Sequence, residues 1–395
     1  MTTGDVAIVG IGATDYYPRG ESYPRTIYEL AGEAILAACE EAGLPVTAID
    51  GFAYYSSASA GYGETLDTAT FMETLGIPEV TFSAALTSGG GGSAGSIGLA
   101  RAALVAGDAT YVVTLMALQQ KRQRLGSVFA ALAPDPISSF LQPSGLYGPG
   151  QLMSVLTRRH MHDYGTRREA FAEVAISSRA NAANRPKAIK REALTLDDYF
   201  AARMISEPLC LNDFCLETDG AVAVITTTAE RARDLRQPAV PVVAAAHGGH
   251  RDWGRAFGWM GMPAETFASS GHAAIAARLY GRAGISADDI DVALLYDHFS
   301  PMVVMQLEDY GFCGKGEGGP FVESGAIRYE GGSIPVNTHG GQLSEAYIVG
   351  MTHILEGVEQ MRGTAVNQVA GAELALVTGG PASLPVSGLI LGAAA

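Results

Sequence analysis

Cysteine is scarce in this chain. Cys39, Cys210, Cys215 and Cys313 are scattered over 395 positions without a CxxC pair or a framework spacing. That excludes a disulfide scaffold or a cysteine-rich zinc module and leaves reduced core thiols as the expectation. His160 and His162, two positions apart, point to different sides of any helix, so no metal is expected from them. No apolar run approaches the roughly 20 residues of a membrane span. Met1-Thr2-Thr3-Gly4-Asp5 leads into an apolar strand with no basic leader, so a cytoplasmic protein is expected. Positive charge is short as well: 26 Lys/Arg face 41 Asp/Glu, a net −15, which argues against a nucleic-acid surface. Residues 151–203 are the exception, with ten Arg/Lys against six Asp/Glu, a balance of +4 that leaves −19 for the remainder. Such an island suits a polyanionic ligand such as the phosphates of coenzyme A, or equally a set of solvated helix faces with paired charges.

Apolar residues (48%) and glycine (49 residues) are plentiful. A chain of this length exceeds what one core fills, so two domains are expected. The run Val6-Ala7-Ile8-Val9 reads as a buried strand; Gly10-Ile11-Gly12 behind it lacks the third glycine of a dinucleotide fingerprint. Periodicity predicts a helix over Thr26–Glu41 stopped by Gly43, a strand over Val80–Ala85, a helix over Ala94–Ala106 and a strand over Thr110–Met116, a crossover of the parallel-sheet type. The order returns with strands at Val240–Ala246, Ile290–Tyr296 and Glu373–Gly379, and helices at Glu265–Gly284, Val303–Tyr310 and Glu345–Met361. Between the halves, 117–207 is rich in helix, proline and charge and reads as an insertion over the site. The halves are divided near 236, giving 1–236 and 237–395.

Near the C-terminus, Gly340-Gly341-Gln342-Leu343-Ser344-Glu345-Ala346-Tyr347-Ile348-Val349-Gly350 resembles the thiolase motif GG-x-x-S-x-GHP-x-G, with Tyr347 in place of the histidine. The stretches Arg159–Glu169, Asn181-Ala182-Ala183-Asn184-Arg185-Pro186, Ser206-Glu207-Pro208-Leu209-Cys210 and Leu216–Val224 resemble the sterol-carrier-protein-2 branch of that superfamily. The resemblance implies an α/β thiolase fold: two α/β/α halves stacked as a five-layer αβαβα sandwich, an inserted loop domain, and a homodimer. It places the nucleophilic cysteine at or beside Gly90, within Ser88-Gly89-Gly90-Gly91-Gly92-Ser93, which has no cysteine. The family's NEAF or HDCF motif falls on Tyr296-Asp297-His298-Phe299, and its Cys-Gly motif on Thr378-Gly379-Gly380. Without a thiolate the usual acyl-enzyme cannot form.

Two tyrosines at two former oxyanion positions look like replacement rather than loss, a pattern similar to the steroid side-chain aldolases of the superfamily. What the resemblance implies is cofactor-free retro-aldol cleavage of a steroid 17-hydroxy-20-carboxyl-CoA thioester to a 17-keto steroid and propionyl-CoA, with a DUF35 partner of the OB-fold and zinc-ribbon type. The chemistry needs a base, an enolate stabiliser and a proton donor. Phenols supply any of these if a hydrogen bond or nearby cation tunes a pKa of about 10. Candidate catalytic residues are therefore Tyr296, Tyr347, Asp297 and His298, with Gly90, His339, Gly379 and Gly380 as substrate-binding candidates. Two rivals stand beside this expectation: a non-catalytic acyl-CoA or sterol carrier of the lipid-transfer type, and an atypical acyltransferase using Ser88 or Ser93.

Overall fold

The structure is a computed structural model that describes residues 5–55, 66–87, 89–120, 124, 136–250, 267–382 and 385–394. Its principal elements in chain order begin with β1 (Val6–Ala13), α1 (Ile27–Ala42), β2 (Gly51–Tyr55), β3 (Phe82–Leu86), α2 (Gly92–Ala106) and β4 (Val112–Leu118). There follow α3 (Pro149–Tyr164), α4 (Arg168–Ala182), β5 (Thr218–Thr228), β6 (Val240–Gly248) and α5 (Ala273–Ala283). The chain closes with β7 (Val292–Leu294), α6 (Ser300–Asp309), α7 (Gly341–Ser344), α8 (Met351–Arg362), β8 (Leu374–Gly379) and β9 (Val386–Gly392).

Hydrogen bonding orders the strands β7-β8-β9-β6-β1-β5-β4-β2-β3. The sheet has two halves, joined where Ala7 and Ile8 of β1 pair with Pro241 and Val240 of β6. Helix α1 covers the outer face of the first half and α5 that of the second, while α2 and α8 touch both halves from between them. Apolar cores lie between these five layers. One holds Leu30, Ala34 and Ile35 against Ile225 and Leu115; a central one holds Ile97, Ile354 and Val358 against Val224 and Leu391; a third holds Ile275 and Leu279 against Ile390. The five-layer architecture is therefore as expected.

Local chemistry explains the boundaries. Thr26 and Glu29 form a reciprocal capping box at the start of α1, and Gly43 ends the helix at φ 74°, as Ser/Thr-x-x-Glu and a following glycine predict. The crossover β3-α2-β4 places both its strands parallel to β2, as the sequence predicts. Elsewhere β5, β9 and β6 pair antiparallel with their neighbours, so the sheet is mixed. The long helix expected over Glu345–Met361 starts late: α7 ends at Ser344, before the expected range, and α8 begins only at Met351. Val349 (φ 49°) and Gly350 (φ 86°) between them are left-handed, a conformation that a right-handed helix cannot contain. Of the helix expected over Glu265–Gly284, Glu265 and Thr266 lie outside the described residues, Phe267 is helical, and after a bend α5 runs from Ala273. Within the described residues, Asp309 accepts the amides of Ser270 and His272, diverting them from a helical ladder.

Candidate functional site

Strand β7 stops short of the predicted Tyr296 because side chains replace its ladder. Asn337 Oδ1 accepts the Leu295 amide at 2.8 Å and its Nδ2 donates to the Leu295 carbonyl at 2.9 Å. Thr378 Oγ1 accepts the Tyr296 amide at 2.8 Å, Gln306 Nε2 donates to the Tyr296 carbonyl at 2.9 Å, and Thr378 donates to Gln306 Oε1 at 2.6 Å. Tyr296 thus leaves the sheet on a backbone whose polar groups are all satisfied, with its ring buried. The ring is seated on glycine. A Cβ at Gly90 would lie 2.3 Å from Tyr296 Cζ and 2.5 Å from its hydroxyl, and one at Gly350 would lie 2.7 Å from Cδ2. Gly379 faces the Gly90 carbonyl, and Gly380 lies against the Gly91 amide, each too close for a side chain. Gly90, Gly379, Gly380 and Tyr296 therefore meet at one place.

Tyr347 sits in the turn between α7 and α8. Its amide donates to Thr218 Oγ1 at 2.9 Å, and that hydroxyl donates back to the Tyr347 carbonyl at 3.0 Å. Thr218 opens β5, so the turn is pinned to the first half of the molecule. The inserted segment braces it too: Ser178 donates to the Gly340 carbonyl, and the amides of Ile189 and Lys190 donate to the carbonyls of Glu345 and Ser344. Tyr347 and Tyr296 are both buried and belong to the same central core cluster.

Asp297 is fully buried and accepts the Gln342 amide at 2.9 Å and the Leu343 amide at 3.3 Å, which anchors the turn that leads to Tyr347. Gly341 must lack a side chain for this, since its Cβ would fall 2.0 Å from Asp297 Oδ2. His298 packs edge-on against Tyr296 with ring centroids 5.2 Å apart. Burial pushes His298 down to about 3, with Asp297 pulling the other way, and its buried Nδ1 has no partner among the described residues. His339 is fully buried and stacks edge-on with His353; burial, then His353 and Arg185, holds it well below the ordinary imidazole value. Both imidazoles are neutral near pH 7, so they influence a phenol through hydrogen bonds rather than as cations.

Beyond the turn lies a buried charge cluster that sequence reasoning missed. Arg185 contacts Glu345 at 3.0 Å, Glu356 at 3.3 Å and Glu359 at 2.7 Å. Three carboxyls share one guanidinium. Burial pushes Glu345 up to about 8 against the pull of Arg185, and raises Glu356 likewise. The guanidinium loses to burial but gains more from the three glutamates, and its pKa is raised. Gln306, His353 and Glu356 were legible only as polar residues interrupting apolar helical runs, a signal that marks buried polar contacts without saying to what.

Ser88 lies outside the described residues. Ser93 is fully buried and donates to the Gly90 carbonyl at 3.0 Å, so its hydroxyl is committed to backbone. Half of the basic island is in ion pairs: Arg158 with Glu207, Arg159 with Asp163, Arg167 with Glu323, Lys187 with Asp15 and Arg185 with its three glutamates. The paired-charge alternative thus accounts for these residues. All four cysteines are free, and burial raises every one of their thiols, Cys39 to about 11 and Cys313 to about 12, which keeps them protonated and unreactive. Among the described residues no group of His, Cys, Asp and Glu is placed to hold a metal, and no helix is long and apolar enough to cross a membrane.

The chain is similar to known proteins over its whole length. A family model described as thiolase C-terminal domain-like matches residues 260–390. Over 99% of its length the chain is 41% identical to a 17-hydroxy-3-oxo-4-pregnene-20-carboxyl-CoA lyase of Mycobacterium tuberculosis, of which it covers 100%. It is 38% identical to a steroid side-chain-cleaving aldolase of Thermomonospora curvata, with 99% of this chain and 98% of that protein covered. A solved structure, the Ltp2-ChsH2(DUF35) aldolase, superposes with a TM-score of 0.91 at 37% identity, covering 100% of this chain and 99% of that one.

Proposed function

The chain belongs to the steroid side-chain-cleaving aldolases of the thiolase superfamily, and from that membership we propose that it cleaves a steroid 17-hydroxy-20-carboxyl-CoA thioester into a 17-keto steroid and propionyl-CoA. The observation that carries this reading is the presence of Tyr296 and Tyr347 in one central cluster, Tyr296 against a glycine wall with no thiolate, in a chain 41% identical to a lyase of that type. In the proposed reaction a base takes the 17-hydroxyl proton, the C17–C20 bond breaks, and its electron pair passes into the thioester enolate. A proton delivered to C20 then completes propionyl-CoA. Tyr296 and Tyr347 divide the roles of base, enolate donor and acid. His298 offers a neutral imidazole beside Tyr296, and the glycines at 90, 379 and 380 form the wall against which the thioester would lie. Asp297 orders the turn. No cofactor enters this scheme.

Incubating the full-length protein with the steroid CoA ester tests the reading: propionyl-CoA and a 17-ketone are expected in equal amounts. Tyr296→Phe and Tyr347→Phe are each expected to lower turnover at least about a hundredfold, the size of an acid/base or oxyanion contribution. Tight binding with no cleavage would make the protein a carrier instead. We further propose a cytoplasmic homodimer working with a DUF35-type OB-fold partner. The partner follows from the complex named for the similar solved structure. The dimer is supported by β3, which ends the strand order with partly exposed residues and is the sort of edge that natural sheets cover. Light scattering, alone and with the partner, checks both.

A further inference from the structure

We propose that His353 is a positioning residue for this reaction, holding Tyr296 and Tyr347 in one geometry by donating from Nε2 to the Leu295 carbonyl and the Asp297 carboxylate. The inference rests on the two-tyrosine reading above. His353 lies on α8 and is fully buried. Its Nε2 is 2.9 Å from the Leu295 carbonyl oxygen and 3.1 Å from Asp297 Oδ1. Both neighbours are acceptors, so Nε2 must carry a proton. The opposite nitrogen, Nδ1, is 3.3 Å from His339 Nε2 and 3.4 Å from Thr352 Oγ1.

His339 is held neutral by burial, and its Nδ1 has no hydrogen-bond partner among the described residues. The arrangement that leaves the fewest buried groups unmatched puts the His339 proton on Nε2, facing His353 Nδ1. A polarity then runs in one direction: His339 donates to His353, His353 donates to Asp297 and to the Leu295 carbonyl, and Asp297 receives the amides of Gln342 and Leu343. This line touches both halves of the candidate site. Leu295 and Asp297 flank Tyr296 in the chain, and the amides that Asp297 receives belong to the turn leading to Tyr347. The imidazole of His353 also lies near the Tyr296 ring, tilted to it by 43° with centroids 6.3 Å apart. Removing the Nε2 donor leaves a buried carboxylate one hydrogen bond short and loosens the strand end and the turn together.

The test is a set of variants of the full-length protein at one position. Glutamine places an amide donor near the place of an imidazole Nε2, asparagine near that of Nδ1. His353→Leu and His353→Asn are therefore expected to lower kcat about thirtyfold to a hundredfold with KM within about threefold, the scale of a displaced catalytic group. His353→Gln is expected to recover most of the loss. Asp297→Asn combined with His353→Leu is expected to be no worse than the poorer single variant, because both interrupt one line. A second readout does not depend on turnover: imidazole 15N shifts of His353 should show a protonated Nε2. If wild type shows that tautomer but no cleavage, the aldolase reading fails while the donor assignment stands. If His353→Leu keeps wild-type kcat, if His353→Gln is no better than His353→Asn, or if Nε2 is unprotonated, the positioning role is overturned.

Discussion

The two tyrosines rest on surroundings built in opposite ways. Tyr296 leans on glycines at 90 and 350 and on a neutral His298, with no room for one more carbon. The turn of Tyr347 stands over Arg185 and three glutamates, where buried charge is dense and every member depends on the others. One side is fixed by shape and the other by electrostatics. The first should fail when an atom is added, the second when a charge is removed.

That contrast can be broken or sharpened by experiment. The largest effect is expected from Arg185→Met, which leaves three carboxyls without their shared cation. A loss of about 3–5 kcal/mol is typical when a buried pair loses one member, and it would appear as a large fall in Tm. Next comes Gly90→Ala, whose methyl would overlap the Tyr296 phenol. Turnover should drop about a hundredfold, with a stability loss of only about 1–3 kcal/mol from overpacking. Full activity in that variant would show that the ring does not need its seat.

The pH dependence of stability separates the two sides further. Glu345 is raised from an ordinary 4.5 to about 8 in the folded protein, so between those values the folded state holds more protons than the unfolded one. Stability from this group is then complete below about 4.5 and is lost as pH rises through about 8. Melting curves from pH 5 to 8 should show Tm falling, and Glu345→Gln should flatten that fall. Smallest of all is Arg158→Ala, which removes an exposed pair with Glu207; such pairs contribute little, and no measurable change in Tm is expected.

The elements legible in sequence were those whose ends carry their own signals. Helix α1 announces itself through Thr26, Glu29 and Gly43, and the crossover β3-α2-β4 through apolar runs punctuated by glycine. Strand β9 was not foreseen, because Val386-Ser387-Gly388 dilutes its apolar pattern with small residues. The late start of α8 was invisible too: Val349 is a poor candidate for a left-handed conformation, and only its surroundings impose one. At the site, motif spacing pointed to Tyr296, Gly90 and Gly379-Gly380, which the fold brings together. The hydrogen bonds from Thr218, Gln306, Asn337 and His353 come from distant parts of the chain, and no local pattern could reveal which backbone groups they satisfy.

The closeness of the Tyr296 phenol to Gly90 bears on how such a protein could have arisen. If position 90 marks the place of an ancestral thiol, that thiol and this phenol compete for one volume, so neither could be exchanged alone without crowding or a void. A change of trade from acyl transfer to carbon–carbon scission would then pass through at least one crippled intermediate, and the same obstacle now stands in the way of reversal.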